Sequence, residues 1–145
     1  MRDNVHHVSS LFEQEVPEIA AGDVLIMAIA RIAGSWSKLA LQSQDPHVDC
    51  IAVCVGVKGS RIKKIMNSLG DERIDMVLWH DSPEDFIASA LQPARIEKVV
   101  LKPAEHRAVV RVKHDQLSWA LGPKGENRLL ASELSGWLIE IENFK

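Results

Sequence analysis

The chain carries one local plan twice: Gly56-Val57-Lys58-Gly59 and Gly122-Pro123-Lys124-Gly125 are short glycine loops, each with a lysine inside and helix-like sequence on both sides. Glycine reaches positive φ without steric cost and lets the main chain approach another surface closely. The lysine offers a cation to whatever approaches. One such loop alone is as well explained by an ordinary turn between helices. Two in matching surroundings restrict the fold to a duplicated unit.

The flanks define that unit. Before the first loop, Asp45-Pro46 has the pattern of a helix start, with Asp as N-cap and Pro at the first helical position. Val48, Ile51, Ala52 and Val55 follow at the spacing of one buried helix face. After the loop, Ile62, Ile65, Met66 and Leu69 repeat the spacing, and Gly70 is placed to end the helix. The second copy offers Asp115 as N-cap, then Leu117, Ala120 and Leu121 on one face. Leu130, Ala131 and Leu134 follow its loop, with Gly136 as the stop.

Strands are expected around both helix pairs. Residues 24–29 and 38–41 read as an antiparallel pair turned at Gly34-Ser35, with 74–79 as a third strand; 96–101, 108–112 and 138–141 repeat the order. Glu97, Arg111, Glu140 and Glu142 alternate with apolar neighbours, as in a sheet with helices on one face and water on the other. Between the copies, Ser82-Pro83-Glu84-Asp85 starts a short helix over 86–91 that Pro93 ends.

Strand, strand, helix, GxxG, helix, strand is the topology of a KH domain in its type II arrangement. The expected fold is therefore an α+β sandwich: two tandem type II KH domains, each a three-stranded sheet packed on helices, at residues 21–93 and 94–145. Residues 1–20 are expected to form a linker entering the first. Such modules hold about four nucleotides of single-stranded nucleic acid against the GxxG loop.

Five further stretches extend the likeness: Leu11-Phe12-Glu13-Gln14-Glu15-Val16-Pro17-Glu18-Ile19, Ser43-Gln44-Asp45-Pro46-His47-Val48-Asp49, Ile74-Asp75-Met76-Val77-Leu78-Trp79, Phe86-Ile87-Ala88-Ser89-Ala90-Leu91 and Asp115-Gln116-Leu117-Ser118. In this order they closely resemble the tandem KH region of the NusA family of bacterial transcription factors, over about residues 11–141. The resemblance implies a cytoplasmic role in transcription elongation, pausing, termination and antitermination. It also implies nascent single-stranded RNA held across both modules, with RNA polymerase and antitermination factors as partners of the full-length factor. In the family a polymerase-binding domain and an oligonucleotide-binding barrel precede the KH pair. Residues 11–19 look like the joint that follows the barrel, so the chain is expected to be a piece of a longer factor, a naturally short protein being the alternative.

The residues expected to contact RNA are Gly56, Val57, Lys58, Gly59, Ser60, Arg61 and Lys64 in the first module. In the second they are Gly122, Pro123, Lys124, Gly125, Asn127 and Arg128. The helix after each loop turns its unpaired N–H groups and positive dipole end toward the loop, where phosphate oxygens are received. Lys58 and Lys124 would neutralise phosphates, Arg61 and Lys64 would reach the strand from one helix face, and Val55, Ile62 and Leu121 would form the floor under the bases.

Two departures from the family pattern bear on the site. Where relatives read Gly-x-Asn-Val-Arg-Leu-Ala after the second loop, this chain has Gly125-Glu126-Asn127-Arg128-Leu129-Leu130-Ala131. The arginine is displaced by one residue, about 100° around a helix, and Glu126 adds a negative charge, so the second module is expected to bind more weakly. Trp36 stands where relatives often carry arginine and is read either as a base-stacking residue or as an exposed hairpin residue.

Composition narrows the alternatives. A net charge of −3 lacks the global basic excess common in nucleic-acid binders, so the basic strip Lys58, Arg61, Lys63, Lys64 carries the electrostatic argument. Cys50 and Cys54 are expected to be small buried residues, and no histidine set completes a metal site. Trp79, Trp119 and Trp137 are expected to fill cores or the contact between modules rather than stack on bases, Trp119 being the weakest case, and Asp71-Glu72 to be helix-cap or solvated-turn residues rather than a catalytic pair. No Ser/His/Asp, Cys/His or metal constellation supports an enzyme, nothing asks for a cofactor, and no apolar run approaches a membrane span. The alternative to RNA binding is a KH scaffold used mainly for protein contacts in transcription or ribosome assembly.

Overall fold

The computed structural model describes residues 4–144. The chain divides between Trp79 and His80 into two units.

The first unit opens with α1 (Val5–Glu15) and α2 (Pro17–Ala20), followed by β1 (Val24–Ile32), β2 (Trp36–Ser43), α3 (Cys50–Val55), α4 (Ser60–Ser68) and β3 (Arg73–Leu78). The sheet order is β1-β2-β3, with β1 antiparallel and β3 parallel to β2. Asn4 caps α1 by accepting a hydrogen bond from His7 N at 3.1 Å. Residues 5–20 are not a linker. Val8, Phe12 and Val16 are fully buried in one core with Val24, Leu39, Leu41, Cys50, Cys54, Ile65, Leu69 and Ile74. The apolar stripe of α1 has no other surface to cover it, so the segment belongs to the fold it precedes.

Local details of α3 differ from expectation. Its N-cap is Asp49, which accepts from Ala52 N at 3.1 Å, and Asp45 instead closes a turn by accepting from His47 N at 2.9 Å. The buried face centres on Cys50 and Cys54, leaving Ala52 exposed. Both cysteines are free thiols. Burial pushes the Cys54 thiol up to about 12, with Cys50 and Glu18 adding to the shift, so it stays protonated and unreactive at neutral pH.

The second unit comprises α5 (Pro83–Ala90), β4 (Lys98–Lys102), β5 (Arg107–Lys113), α6 (Leu117–Leu121), α7 (Glu126–Ser135) and β6 (Leu138–Phe144). The order β4-β5-β6 repeats the antiparallel and parallel pairings of the first sheet. Ser82 caps α5 through Asp85 N. Phe86, Ile87, Ala90 and Leu91 are buried, and α5 packs on α7, so this helix groups with the second unit and the division falls earlier than residue 93. Asp115 lies in a turn of 3-10 helix and does not cap α6.

The outer face of the second sheet is an ion-pair lattice, as the alternation of charge and apolar residues anticipated. Arg107 pairs with Glu105 and Glu140 at 2.7 and 2.8 Å, Arg111 with Glu142 at 3.3 Å, and Lys113 with Glu97 at 3.3 Å. The opposite face, from Ala108, Val110, Val112 and Ile139, is buried.

Candidate nucleic-acid interface

The two glycine loops have the same backbone. α3 ends at Gly56 (φ 78°, ψ 173°), whose N–H donates to Ala52 O at 3.0 Å; α6 ends at Gly122 (φ 73°, ψ 173°), whose N–H donates to Ser118 O at 2.9 Å. Lys58 (54°, 29°) and Lys124 (57°, 20°) both sit in the left-handed region, and Gly59 (74°, 18°) and Gly125 (72°, 14°) follow them there. Corresponding angles agree within 9°. A left-handed lysine costs roughly 1 kcal/mol or more, so each loop is held by its surroundings.

The first glycine of each loop is required by space as well as by φ. A Cβ on Gly56 would lie 2.8 Å from Arg61 Cγ, and one on Gly122 would lie 2.7 Å from Asn127 Cβ and 2.8 Å from Asn127 N. The second glycine is the N-cap of the following helix and supplies no side-chain acceptor to its first amides. In α4 and α7, nine and ten residues long, the first-turn N–H groups are left without a side-chain cap beside an exposed loop tip. Val57 is 81% exposed, and Lys58, Pro123 and Lys124 are exposed with it. The amides of Gly59 and Ser60 donate to Gly56 O and Val57 O, and those of Gly125 and Glu126 to Gly122 O and Pro123 O, so the loops are tight turns in which a positive helix end and a projecting lysine together suit an anion.

The structure brings carboxylates to the basic strip of the first module. Arg61 Nη1 donates to Glu18 Oε1 at 3.0 Å and to Val53 O at 2.7 Å. Lys64 Nζ lies 3.1 Å from Glu15 Oε1 while remaining 69% exposed, and Lys63 Nζ donates to Lys58 O at 3.2 Å. Glu15 and Glu18 come from the helices before the sheet, far away in sequence, and the spacing of charges along α4 carries no sign of them. Ser60 is exposed at the start of α4, and Val55, Ile62 and Leu121 are each partly exposed beside the loops.

The second module differs. Asn127 is fully buried, and its Nδ2 donates to Leu91 O at 3.0 Å, Trp119 O at 3.2 Å and Ala120 O at 3.0 Å. Its side chain therefore faces the interior and is withdrawn from the set expected to touch RNA. Arg128 is half-buried, with Nη1 donating to Ile139 O at 2.9 Å, drawn toward β6.

The tryptophans fall out differently from expectation. Trp36 is 4% exposed, with the Arg73 guanidinium 3.9 Å above its ring centroid, so it is neither a hairpin-tip residue nor open for stacking. Trp119, the weakest of the core or module-contact expectations, is 58% exposed on α6, three residues before Gly122. Trp137 is partly exposed and stacks on His106 at 4.2 Å. Among the described residues no group of three or more His, Cys, Asp or Glu is placed to hold a metal ion, and no helix is long and apolar enough to cross a membrane.

Comparison with known proteins places these features in a family. Residues 2–79 match the model of a NusA-like first KH domain, and residues 83–145 that of a NusA-like second KH domain. The proteins named "Transcription termination/antitermination protein NusA" from Halalkalibacterium halodurans and Bacillus subtilis are each 44% identical over 92% of this chain, and that from Thermus thermophilus is 47% identical over 91%. The chain spans about a third of the length of these relatives, 35, 36 and 34% respectively. A solved structure titled "Crystal structure of APE1850" shares the fold, with a TM-score of 0.66 at 19% identity, covering 95% of this chain and 96% of that one.

Proposed function

Because the chain belongs to the NusA family and carries its first and second KH domains, we propose that it grips single-stranded nascent RNA with its two GxxG loops. It does so as the RNA-binding part of a cytoplasmic factor acting in elongation, pausing, termination and antitermination. RNA polymerase and antitermination factors are partners of the whole factor in this reading. The observation that carries it is the repeated loop geometry, in which a strained lysine before a helix end with no side-chain cap recurs within 9° in both modules.

The mechanism follows from those atoms. Phosphate oxygens settle at the positive N-terminal ends of α4 and α7, and Lys58 and Lys124 neutralise them. Bases lie on the partly exposed apolar side chains Val55, Ile62 and Leu121, where an unpaired strand exposes its faces and a duplex does not. Lys64 adds a cation to the first module, whereas Leu130, buried, takes the corresponding place in the second. The first module therefore supplies the larger share of the salt-dependent affinity.

Fluorescence anisotropy with a labelled unstructured RNA of about a dozen nucleotides tests this, that length spanning two modules of about four nucleotides each and a spacer. Binding should weaken with salt and fall when Val57 and Lys58, or Pro123 and Lys124, are replaced by aspartate, with circular dichroism unchanged. A folded chain that ignores single-stranded RNA would point to a protein-contact scaffold instead.

A further inference from the structure

Arg61 and Asn127 occupy corresponding positions, each two residues after the second glycine of its loop. Their side chains have little in common, yet they make the same three contacts. Each donates to the carbonyl three residues before the first glycine, Arg61 to Val53 O at 2.7 Å and Asn127 to Trp119 O at 3.2 Å. Each reaches the helix that flanks its module, Arg61 at Glu18 of α2 and Asn127 at the carbonyl of Leu91 after α5. Each also fills the space that a Cβ on the first glycine would need.

We propose that Arg61 and Asn127 are latches that fix the two GxxG loops, acting on RNA through loop geometry and not by touching it. The inference rests on the reading above that these loops hold RNA. α3 and α6 have six and five residues, too few to persist without tertiary support, and their last carbonyls have no partner within the helix. The latch satisfies those carbonyls from the next helix and so sets the angle at which the chain leaves through the loop. That constraint is what a left-handed lysine needs in order to stay in place. Glycine at 56 and 122 lets the latch lie against the backbone it holds. The same job is done by a long charged side chain where the flanking helix offers a carboxylate, and by a short amide where it offers a carbonyl.

The test uses the intact chain and four variants: Arg61→Met and Asn127→Leu remove the latch, Arg61→Gln keeps a donor without the charge, and Asn127→Ser is a milder truncation. Hydrogen exchange of the loop amides in the free protein reads the latch directly, and RNA affinity at several salt concentrations reads its consequence. Arg61→Met should speed exchange at Gly59 and Ser60, whose amides donate to Gly56 O and Val57 O, at least tenfold and leave Gly125 and Glu126 unchanged, with Asn127→Leu doing the reverse. Each should weaken RNA binding several-fold with the slope of log affinity against log salt preserved. Arg61→Gln should retain slow exchange and most of the affinity. Should Asn127→Leu fail to fold, Asn127→Ser and the half-exposed Arg61 position decide the matter.

A phosphate contact at Arg61 would instead lower the salt slope by about 0.7 in Arg61→Gln, and that result overturns the proposal. So does loop exchange that no variant alters. A wild-type chain that does not bind RNA sinks the functional reading alone, because the exchange measurement needs no ligand.

Discussion

Arg31 and Glu72 are paired inside the first unit, Arg31 Nη2 lying 3.0 Å from Glu72 Oε1, with both side chains almost entirely out of solvent. The same carboxylate accepts from Ser37 Oγ at 2.6 Å and Gly34 N at 2.9 Å, and Arg31 Nη1 donates onward to Asn4 O. One side chain thus ties the end of β1, the hairpin, the start of β2 and the entry to β3. Burial alone would raise its pKa. Hydrogen bonds from Arg31, Ser37 and Gly34, with the charge of Arg31, outweigh burial and hold the carboxyl below the usual carboxylate range.

Removing Glu72 leaves a buried guanidinium without its counter-charge. Glu72→Ala should cost about 3–5 kcal/mol in urea unfolding, and Glu72→Gln, which keeps the shape, less. Because the folded pKa is depressed, the contribution is complete above the ordinary value of 4.5 and disappears as pH falls through the folded value. Wild type should lose stability steeply below about pH 4.5, and Glu72→Gln should flatten that loss.

Lys38 gives the opposite pH dependence. Burial lowers its pKa to about 8, Asp75 opposes the shift and Arg73 adds to it. Below that value the charged amine is carried into the fold. Between pH 8 and the unfolded value of 10.5 only the unfolded chain binds the proton, so stability should rise with pH, by about 3 kcal/mol at most. The chain has no tyrosine to titrate in the same window. Urea midpoints from pH 7 to 9 should climb in wild type and stay level in Lys38→Met; above pH 9 the Cys54 thiol, ordinarily at 9 but held up to about 12 in the fold, adds an opposing loss of stability to both.

In the proposed reading, the pair between Lys64 and Glu15 competes with RNA for the same ammonium group. Glu15→Gln should tighten RNA binding about two- to threefold at low salt, with the gain vanishing at high salt, because an exposed pair is worth at most about 1 kcal/mol. Anisotropy titrations at two ionic strengths check this, and equal affinity at low salt would mean that Lys64 stands apart from the RNA path.

Most of the fold was legible because its signals are local. The GxxG loops, the stops at Gly70 and Gly136, the turn at Gly34-Ser35 and the cap at Ser82 each act over a few residues, and each stands where it was read. What was misread depends on contacts between distant segments. Asp45-Pro46 mimics a helix start, but Asp49 takes the cap once Cys50 and Cys54 turn inward. Residues 5–20 looked like a linker because the surface that buries Val8, Phe12 and Val16 exists only after the sheet forms.

The site divides along the same line. The loops themselves are legible from their glycines, whereas the left-handed turn at Lys58 and Lys124 and the fates of the side chains are not. Arg61, Asn127 and Arg128 all read as RNA contacts in sequence, Arg128 the least secure because it stands one place from the family arginine. Only the fold shows Arg61 held by Glu18, Asn127 sealed under Leu91 and Arg128 drawn to Ile139. Trp36 was misjudged for a related reason, since Arg73 covers it from a strand 37 residues later.

The central claim is that both loops grip phosphate at the N-terminal ends of α4 and α7, and amide-resolved NMR during titration with unstructured RNA tests it most directly. The account predicts that Lys58, Gly59 and Ser60 shift together with Lys124, Gly125 and Glu126, the first set saturating at lower RNA concentration. RNA binding that shifts other surfaces and leaves both sets unmoved would contradict it.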